Sequence, residues 1–256
     1  MSASQEIHVF PTLEQLFQSA ADEFVKQVKD AVRKNGRFTV ALSGGSTPKG
    51  LFALLASEYK DLLPWDKMYF FWGDERHVPP DHPESNYRMA DEAMLSKLPH
   101  LAKNIFRVPA EKLDAAAAAR EYEQTLRQFF RLQADELPNF NLIMLGMGPD
   151  GHTASLFPYS AALQEKHRLV TENWVEKFDT FRITATVPVL NNADEIMFLI
   201  SGADKAMALR EVLEGSGTEQ QYPAKLVQPT HGTVLWFIEQ SAAGELSNAA
   251  SKVKRN

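Results

Sequence analysis

Five short, almost unbroken apolar runs constrain this chain more than anything else in it: Phe38–Leu42 (FTVAL), Met68–Trp72 (MYFFW), Asn141–Leu145 (NLIML), Glu195–Ile200 (EIMFLI) and Thr233–Ile238 (TVLWFI). A run of five or six residues without polar alternation is the pattern of a strand covered on both faces. Between the runs, apolar residues recur at spacings of three and four. Thr12–Lys34 carries Leu13, Leu16, Phe17, Ala20, Phe24, Val25, Val28 and Val32 in that rhythm and stops at Asn35-Gly36, which predicts an amphipathic helix. Lys49–Ser57, Glu84–Leu95 (entered through Ser85 or Asn86), Ala115–Leu132 (capped by Asp114) and Ala206–Leu213 read as further helices. Asn104–Val108 reads as a short edge strand, Arg168–Thr171 and Arg182–Val187 as two more strands, and the end of the chain as a loose polar tail. Alternating strands and helices, without repeat or linker, predict a single Rossmann-like α/β domain over residues 1–256, a mostly parallel sheet with helices on both faces.

Composition narrows the chemistry. With 44% hydrophobic residues among 256, 23% charged and a formal net charge of -6, neither disorder nor a general affinity for nucleic acid is indicated. An anionic ligand therefore has to be held locally, by a few cations and helix N-termini. The absence of cysteine excludes disulfides, thiolate catalysis and cysteine-based metal sites. The opening MSASQEIHVFPTLEQ has no basic stretch followed by an apolar one, and no apolar run reaches membrane-spanning length. A soluble cytoplasmic protein without a membrane partner is expected.

The loops after the runs carry the ionisable residues, and in open α/β sheets ligands bind beyond the carboxyl ends of the strands. Ser43-Gly44-Gly45-Ser46-Thr47-Pro48 joins a strand to a helix start, the construction of a phosphate cradle, with Ser46 or Thr47 suited to the N-cap and Pro48 to the first turn. Asp74 and Arg76 stand at the exit of the second run. Gly146, Gly148 and Gly151 punctuate the loop after the third, where Asp150 and His152 pair a carboxylate with a side chain that titrates near neutral pH. Lys205 falls in the first turn of a helix, where a cation makes sense beside a bound anion.

Three other readings compete. Gly146-Met147-Gly148-Pro149-Asp150-Gly151 matches the dinucleotide fingerprint, with Glu172 at about the ~20-residue distance of a ribose-binding acid. Gly44-Gly45-Ser46-Thr47-Pro48 is one residue from a nucleophile elbow at Ser46. His77, Asp81 and His82 are a weak metal-ligand set in a proline-rich loop. A sugar-phosphate site shared by several strand ends accounts for four loops at once.

LSGGSTP, WGDERHVPPDHPESNYRMA, GMGPDGHTASLFP, RITATVPVLNNADEIMFLISGADKA and YPAKLVQP resemble, in order and from about Phe38 to Ile238, the 6-phosphogluconolactonase branch of the glucosamine-6-phosphate isomerase/6-phosphogluconolactonase family. The resemblance implies a fold similar to the glucosamine-6-phosphate deaminase/ribose-5-phosphate isomerase group and hydrolysis of 6-phosphogluconolactone to 6-phosphogluconate, with no cofactor and no metal. It implies His152 as the base with Asp150 and Arg76 beside it. Gly44, Gly45, Ser46 and Thr47 match the phosphate loop, Lys205 and Arg182 complete it, and Asp74 belongs to the same site. The deaminase sibling has a loop similar to DGHxAFNE, whose glutamate helps open the sugar ring; the matching position here is Phe157, which cannot transfer a proton. A deaminase-like isomerase and a non-catalytic sugar-phosphate sensor remain as alternatives, and a monomer or weak homodimer is expected.

Overall fold

The computed structural model describes residues 4–98 and 102–247. In chain order the elements are β1 (Ser4–Phe10), α1 (Leu13–Asn35), β2 (Phe38–Leu42), α2 (Ser46–Leu55), β3 (Met68–Trp72), β4 (Asp74–Arg76), α3 (Asn86–Ala93), α4 (Ala115–Phe130), β5 (Leu142–Leu145), β6 (Val170–Val175), β7 (Thr180–Ala185), α5 (Val187–Leu190), β8 (Glu195–Ile200), α6 (Ala206–Leu213) and β9 (Thr233–Glu239). Six strands form one parallel sheet in the order β1-β9-β8-β5-β2-β3. Every residue of β2, β5 and β8 is buried, so both faces of the sheet's middle are covered, as their unbroken apolar runs require.

The first helix follows its predicted limits closely. Thr12 Oγ1 accepts the Gln15 N–H at 3.3 Å, Gly36 closes the helix at φ 72°, and Leu16, Ala20, Phe24 and Val28 form its buried stripe. Asp114 caps α4 by accepting the Ala116 N–H, and Ser85 caps α3 by accepting the Arg88 N–H. Tyr122, buried on α4, takes the Trp72 N–H at 2.8 Å and donates to the Trp72 carbonyl at 3.0 Å, satisfying backbone groups on the sheet's β3 edge.

Several elements differ from the expectations. Ser4–Phe10, to which the sequence assigned no element, is a strand paired in parallel with β9. Arg168–Thr171 and Arg182–Val187 do not extend the parallel sheet: β6 and β7 form a hairpin, and with β4 make a separate antiparallel sheet in the order β4-β7-β6. Asn104–Val108 is not a strand; Asn104 ends a 3-10 turn and Ile105 makes one isolated bridge to Phe70. The second helix begins at Ser46 rather than Lys49, with Gly45 in the cap position at φ 110°, a conformation that glycine adopts without strain. From residue 248 the expected polar tail lies outside the described residues.

Gly73 joins the two sheets: its N–H donates to the Leu42 carbonyl at 2.9 Å and its carbonyl accepts from Ala185 at 2.8 Å. The chain thus leaves the parallel sheet at the carboxyl end of β3 and enters the small sheet beside the loops that follow β2, β5 and β8.

Candidate active site

These loops enclose a cleft of about 220 Å³ beyond neighbouring strand ends. Ser43–Pro48, Asp74, Arg76, Asn86, Gly146–Gly148, His152, Ala154, Leu199 and Lys205 line it. One wall is the start of α2, which no side chain caps. Its first N–H groups, on Ser46 and Thr47, precede any intrahelical partner and carry the positive end of the helix dipole. The Thr47 hydroxyl pairs with Ser201 Oγ at 2.7 Å, tying this loop to the one after β8. Ser43, buried at the same spot, has no partner for its hydroxyl among the described residues.

Lys205 also lines the cleft. It ends a 3-10 turn, Ala203–Lys205, and occupies the cap position of α6 rather than the helix's first turn. Burial lowers its pKa from the ordinary lysine value, against the opposing pull of Asp204. A partly buried ammonium lining the same cleft as uncapped amides is an anion-binding arrangement.

On the other side, Asp150 Oδ1 lies 2.5 Å from His152 Nδ1, and Lys177 Nζ is 3.6 Å from Asp150 Oδ2. Burial pushes the Asp150 carboxyl up, but the hydrogen bond and charge of His152, with Lys177, outweigh it and bring the pKa down to about 2. Asp150 is therefore ionised at neutral pH and accepts, which makes His152 Nδ1 the donor and leaves Nε2 as the free basic nitrogen. The turn is closed by Gly148 N–H to the His152 carbonyl at 2.9 Å and by the Thr153 hydroxyl to the Gly146 carbonyl at 2.8 Å. The imidazole stacks on Phe157, with centroids 4.1 Å apart.

Arg76 and Arg182 are register partners on β4 and β7. Arg76 lines the cleft, with Nη1 donating to the Glu84 carbonyl at 2.6 Å. Arg182 does not line the cleft itself. It is 8% exposed, its Nε and Nη1 have no hydrogen-bond partner among the described residues, and its pKa is drawn down by burial and by the Arg76 charge. Two adjacent guanidinium groups, one with unused donors, form a second cationic locus beside the first.

Asp74 is present but committed. It accepts from Ser155 Oγ at 2.6 Å and from Asn86 Nδ2 at 3.4 Å, while its carbonyl accepts from Asn86 Nδ2 at 2.9 Å. It thereby braces the His152 loop against α3. Sequence reasoning missed this network, together with Ser43, Asn86 and Ser155, although all three fall inside the motifs quoted above. It also missed Glu75, which is 2% exposed and accepts from the N–H groups of Arg76, Asn86 and Tyr87 and from Ser85 Oγ. No periodicity marks such residues; only their partners do.

The competing readings lose support here. No helix follows Gly146–Gly151, and the next helical turn is a 3-10 piece at Ala161–Gln164, so the dinucleotide fingerprint lacks the helix that would meet a pyrophosphate. His77 Nε2 is engaged by the Lys112 carbonyl at 2.7 Å and His82 Nδ1 by the Glu84 N–H at 3.2 Å.

At the strand ends of a parallel sheet, an uncapped helix and a lysine thus share one cleft with an oriented histidine. The chain belongs to the family described as glucosamine-6-phosphate isomerases/6-phosphogluconolactonase, whose model matches residues 11–236. It is 42% identical to a 6-phosphogluconolactonase of Nostoc sp. over 94% of this chain and 98% of that protein. It is 43% identical to one of Synechocystis sp. over 86% and 89%. Among solved structures it is similar to 6-phosphogluconolactonase from Trypanosoma cruzi, with a TM-score of 0.86, 31% identity and coverage of 96% and 98%. A monomeric glucosamine-6-phosphate deaminase, at 21% identity, TM-score 0.78 and coverage of 94% and 99%, shares the fold.

Proposed function

We propose that this protein hydrolyses 6-phosphogluconolactone to 6-phosphogluconate within one α/β domain, as a cytoplasmic monomer or weak homodimer with a small-molecule substrate and no nucleic-acid or membrane partner. One observation carries the reading: a single cleft holds both an anion cradle and a histidine whose basic nitrogen is left free by an ionised aspartate. A sensor needs the first half and has no use for the second.

The phosphate sits against the Ser46 and Thr47 amides, with Gly45 allowing close approach, Gly44 making room for the Asn86 side chain and Lys205 supplying charge. That remote anchor places the lactone carbonyl near His152. His152 Nε2 takes a proton from water as its oxygen bonds to the carbonyl carbon, and the carbonyl oxygen becomes anionic. Arg76, permanently charged and rich in donors, stabilises that oxygen, with Arg182 reinforcing the same locus. As the carbonyl re-forms, the bond to the ring oxygen breaks and His152 returns the proton to it. Asp150 holds the tautomer and stabilises the imidazolium.

Phe157 favours hydrolysis over the sibling deamination. It stands where the resemblance places the deaminase's ring-opening glutamate, and it presents an aromatic face to His152 rather than a carboxylate. The test follows loss of freshly generated lactone against a blank without protein, with His152→Ala beside the wild type. Acceleration is expected from the wild type, and a loss in turnover of about 10²–10⁴-fold in the variant. Equal rates for blank and wild type would refute the reaction, and a fully active variant would refute the base.

A further inference from the structure

The tip of the β6–β7 hairpin reaches the candidate site from outside the cleft's own lining. Glu176–Phe178 forms one 3-10 turn, closed by Asp179 in the left-handed region at φ 48° with its N–H on the Glu176 carbonyl. The ladder behind the tip is fully registered, from Val170 opposite Ala185 to Val175 opposite Thr180, so the tip has a rigid base. Two of its side chains meet groups of the site. Lys177 reaches the Asp150 carboxylate. Phe178 meets Phe157 edge-on at 5.9 Å and 76°, and Phe157 in turn stacks on His152. Phe178 also meets Arg182, whose Cζ stands 5.3 Å from the ring centroid.

We propose that Phe178 is a positioning residue, setting His152 through Phe157 and Arg182 through its ring face, so that one hairpin tip aligns the base with the second cationic locus. The inference rests on the lactonase reading for its kinetic consequence, but its geometry stands apart from it.

Arg182 makes the case specific. Two of its guanidinium nitrogens have no hydrogen-bond partner among the described residues, so hydrogen bonds at Nε and Nη1 do not fix its plane. A ring face at cation–π distance supplies the orientation that hydrogen bonds at those two donors do not. Phe178 itself is 46% exposed, a poor investment for the core and a reasonable one for orienting neighbours. His152 needs the same support, because its Nδ1 bond to Asp150 fixes one edge of the ring and leaves it free to tilt about that bond. The Phe157 face removes the tilt only if Phe157 is held in turn.

The experiment compares Phe178→Ala, Phe178→Leu and Phe178→Tyr with the wild type. Ala and Leu are expected to lower kcat and raise KM together, with kcat/KM falling roughly 2- to 30-fold, the range of one cation–π contact. Tyr, which keeps the ring, is expected to restore both constants. A purely structural Phe178 would lower Tm and leave kcat and KM alone, and Leu would serve as well as Phe. Wild-type kinetics in Phe178→Ala or Phe178→Leu, or a Tyr variant as impaired as Ala, would overturn the proposal. A second measurement needs no substrate: the His152 ring protons, which lie against the Phe157 face, should shift in the NMR spectrum of Phe178→Ala and return in Phe178→Tyr. Unmoved resonances would overturn the proposal even if the lactone were not the substrate, whereas a wild type inactive on the lactone with shifted resonances would refute only the reaction.

Discussion

Gly148 decides where the imidazole of His152 can lie. A Cβ built there would collide with His152 Cε1 and Nδ1 and fall 2.8 Å from Asp150 Oδ1, so the glycine is required by close approach and not by its backbone angles. Gly148→Ala is expected to leave the fold intact and displace the His–Asp pair. A misplacement of ~1 Å costs about 10²-fold in rate, and a loss of that order in kcat with an unchanged melting curve is the expected outcome. A different constant should report Lys205. Its side chain lines the same cleft as the uncapped start of α2, so Lys205→Ala should raise KM about 10- to 100-fold, equivalent to the ~1.5–3 kcal/mol of a hydrogen bond to a charged group. Its kcat should change little. A variant with normal KM and depressed kcat would move Lys205 out of the phosphate cradle. His152, Asp150 and Lys205 were all legible as residues, because titratable side chains at strand exits carry their own signal. The tautomer of His152 and its stacking on Phe157 were not, since both depend on atoms brought together by the turn.

At the scale of elements, Glu75 is the tie between β4 and α3. Burial pushes its carboxyl up, the N–H groups of Asn86, Tyr87 and Arg76 pull it back, and the neighbouring Asp74 charge raises it again. Glu75→Ala would strand three backbone donors and the Ser85 hydroxyl in a buried position, at ~1–3 kcal/mol for each group that water fails to reach. Because Arg76 and Asn86 both line the cleft, stability and turnover should fall together; a melt recorded beside the lactone assay checks it, and a drop in Tm with unchanged kcat would separate the tie from the site. The same small sheet explains where sequence reading stopped. The five parallel strands were visible because burial on both faces erases polar alternation. β4 has three residues, two of them acidic and one basic, and its partner β7 lies about a hundred positions away, so nothing local reports it. The hairpin of β6 and β7 turns through Glu176-Lys177-Phe178-Asp179 without a glycine, removing the usual turn signal. Ser4–Phe10 is an edge strand with mostly polar outward residues, the kind that protects a sheet from further pairing and also from detection.

Across the whole molecule, the two ends of the parallel sheet carry different burdens. The carboxyl ends hold the cleft, and the amino end of β8 holds Glu195, a carboxylate that the proposed chemistry does not use. It is 7% exposed, Oε2 accepts from Gln27 Nε2 of α1 at 2.5 Å, and Oε1 has no partner among the described residues. Burial, then the Glu23 charge, push its pKa from 4.5 to about 8; Glu6 adds to the rise, while Lys26 and the Gln27 hydrogen bond oppose it. The folded protein therefore keeps a proton that the unfolded chain releases near 4.5. Between the two values the folded state binds more protons, so stability falls as pH rises through that window, and the loss is complete above about 8. Glu195→Gln keeps an oxygen for Gln27 and cannot ionise. Its melting temperature should flatten against pH where the wild type declines, and exceed the wild type's at the alkaline end, each kcal/mol appearing as ~2–4 °C in a chain of this size. Turnover should be unchanged, because the substitution lies at the opposite end of the strands from His152. Parallel melting profiles for the two proteins between about pH 5 and pH 8 would mean that Glu195 is not the group that couples folding to protons.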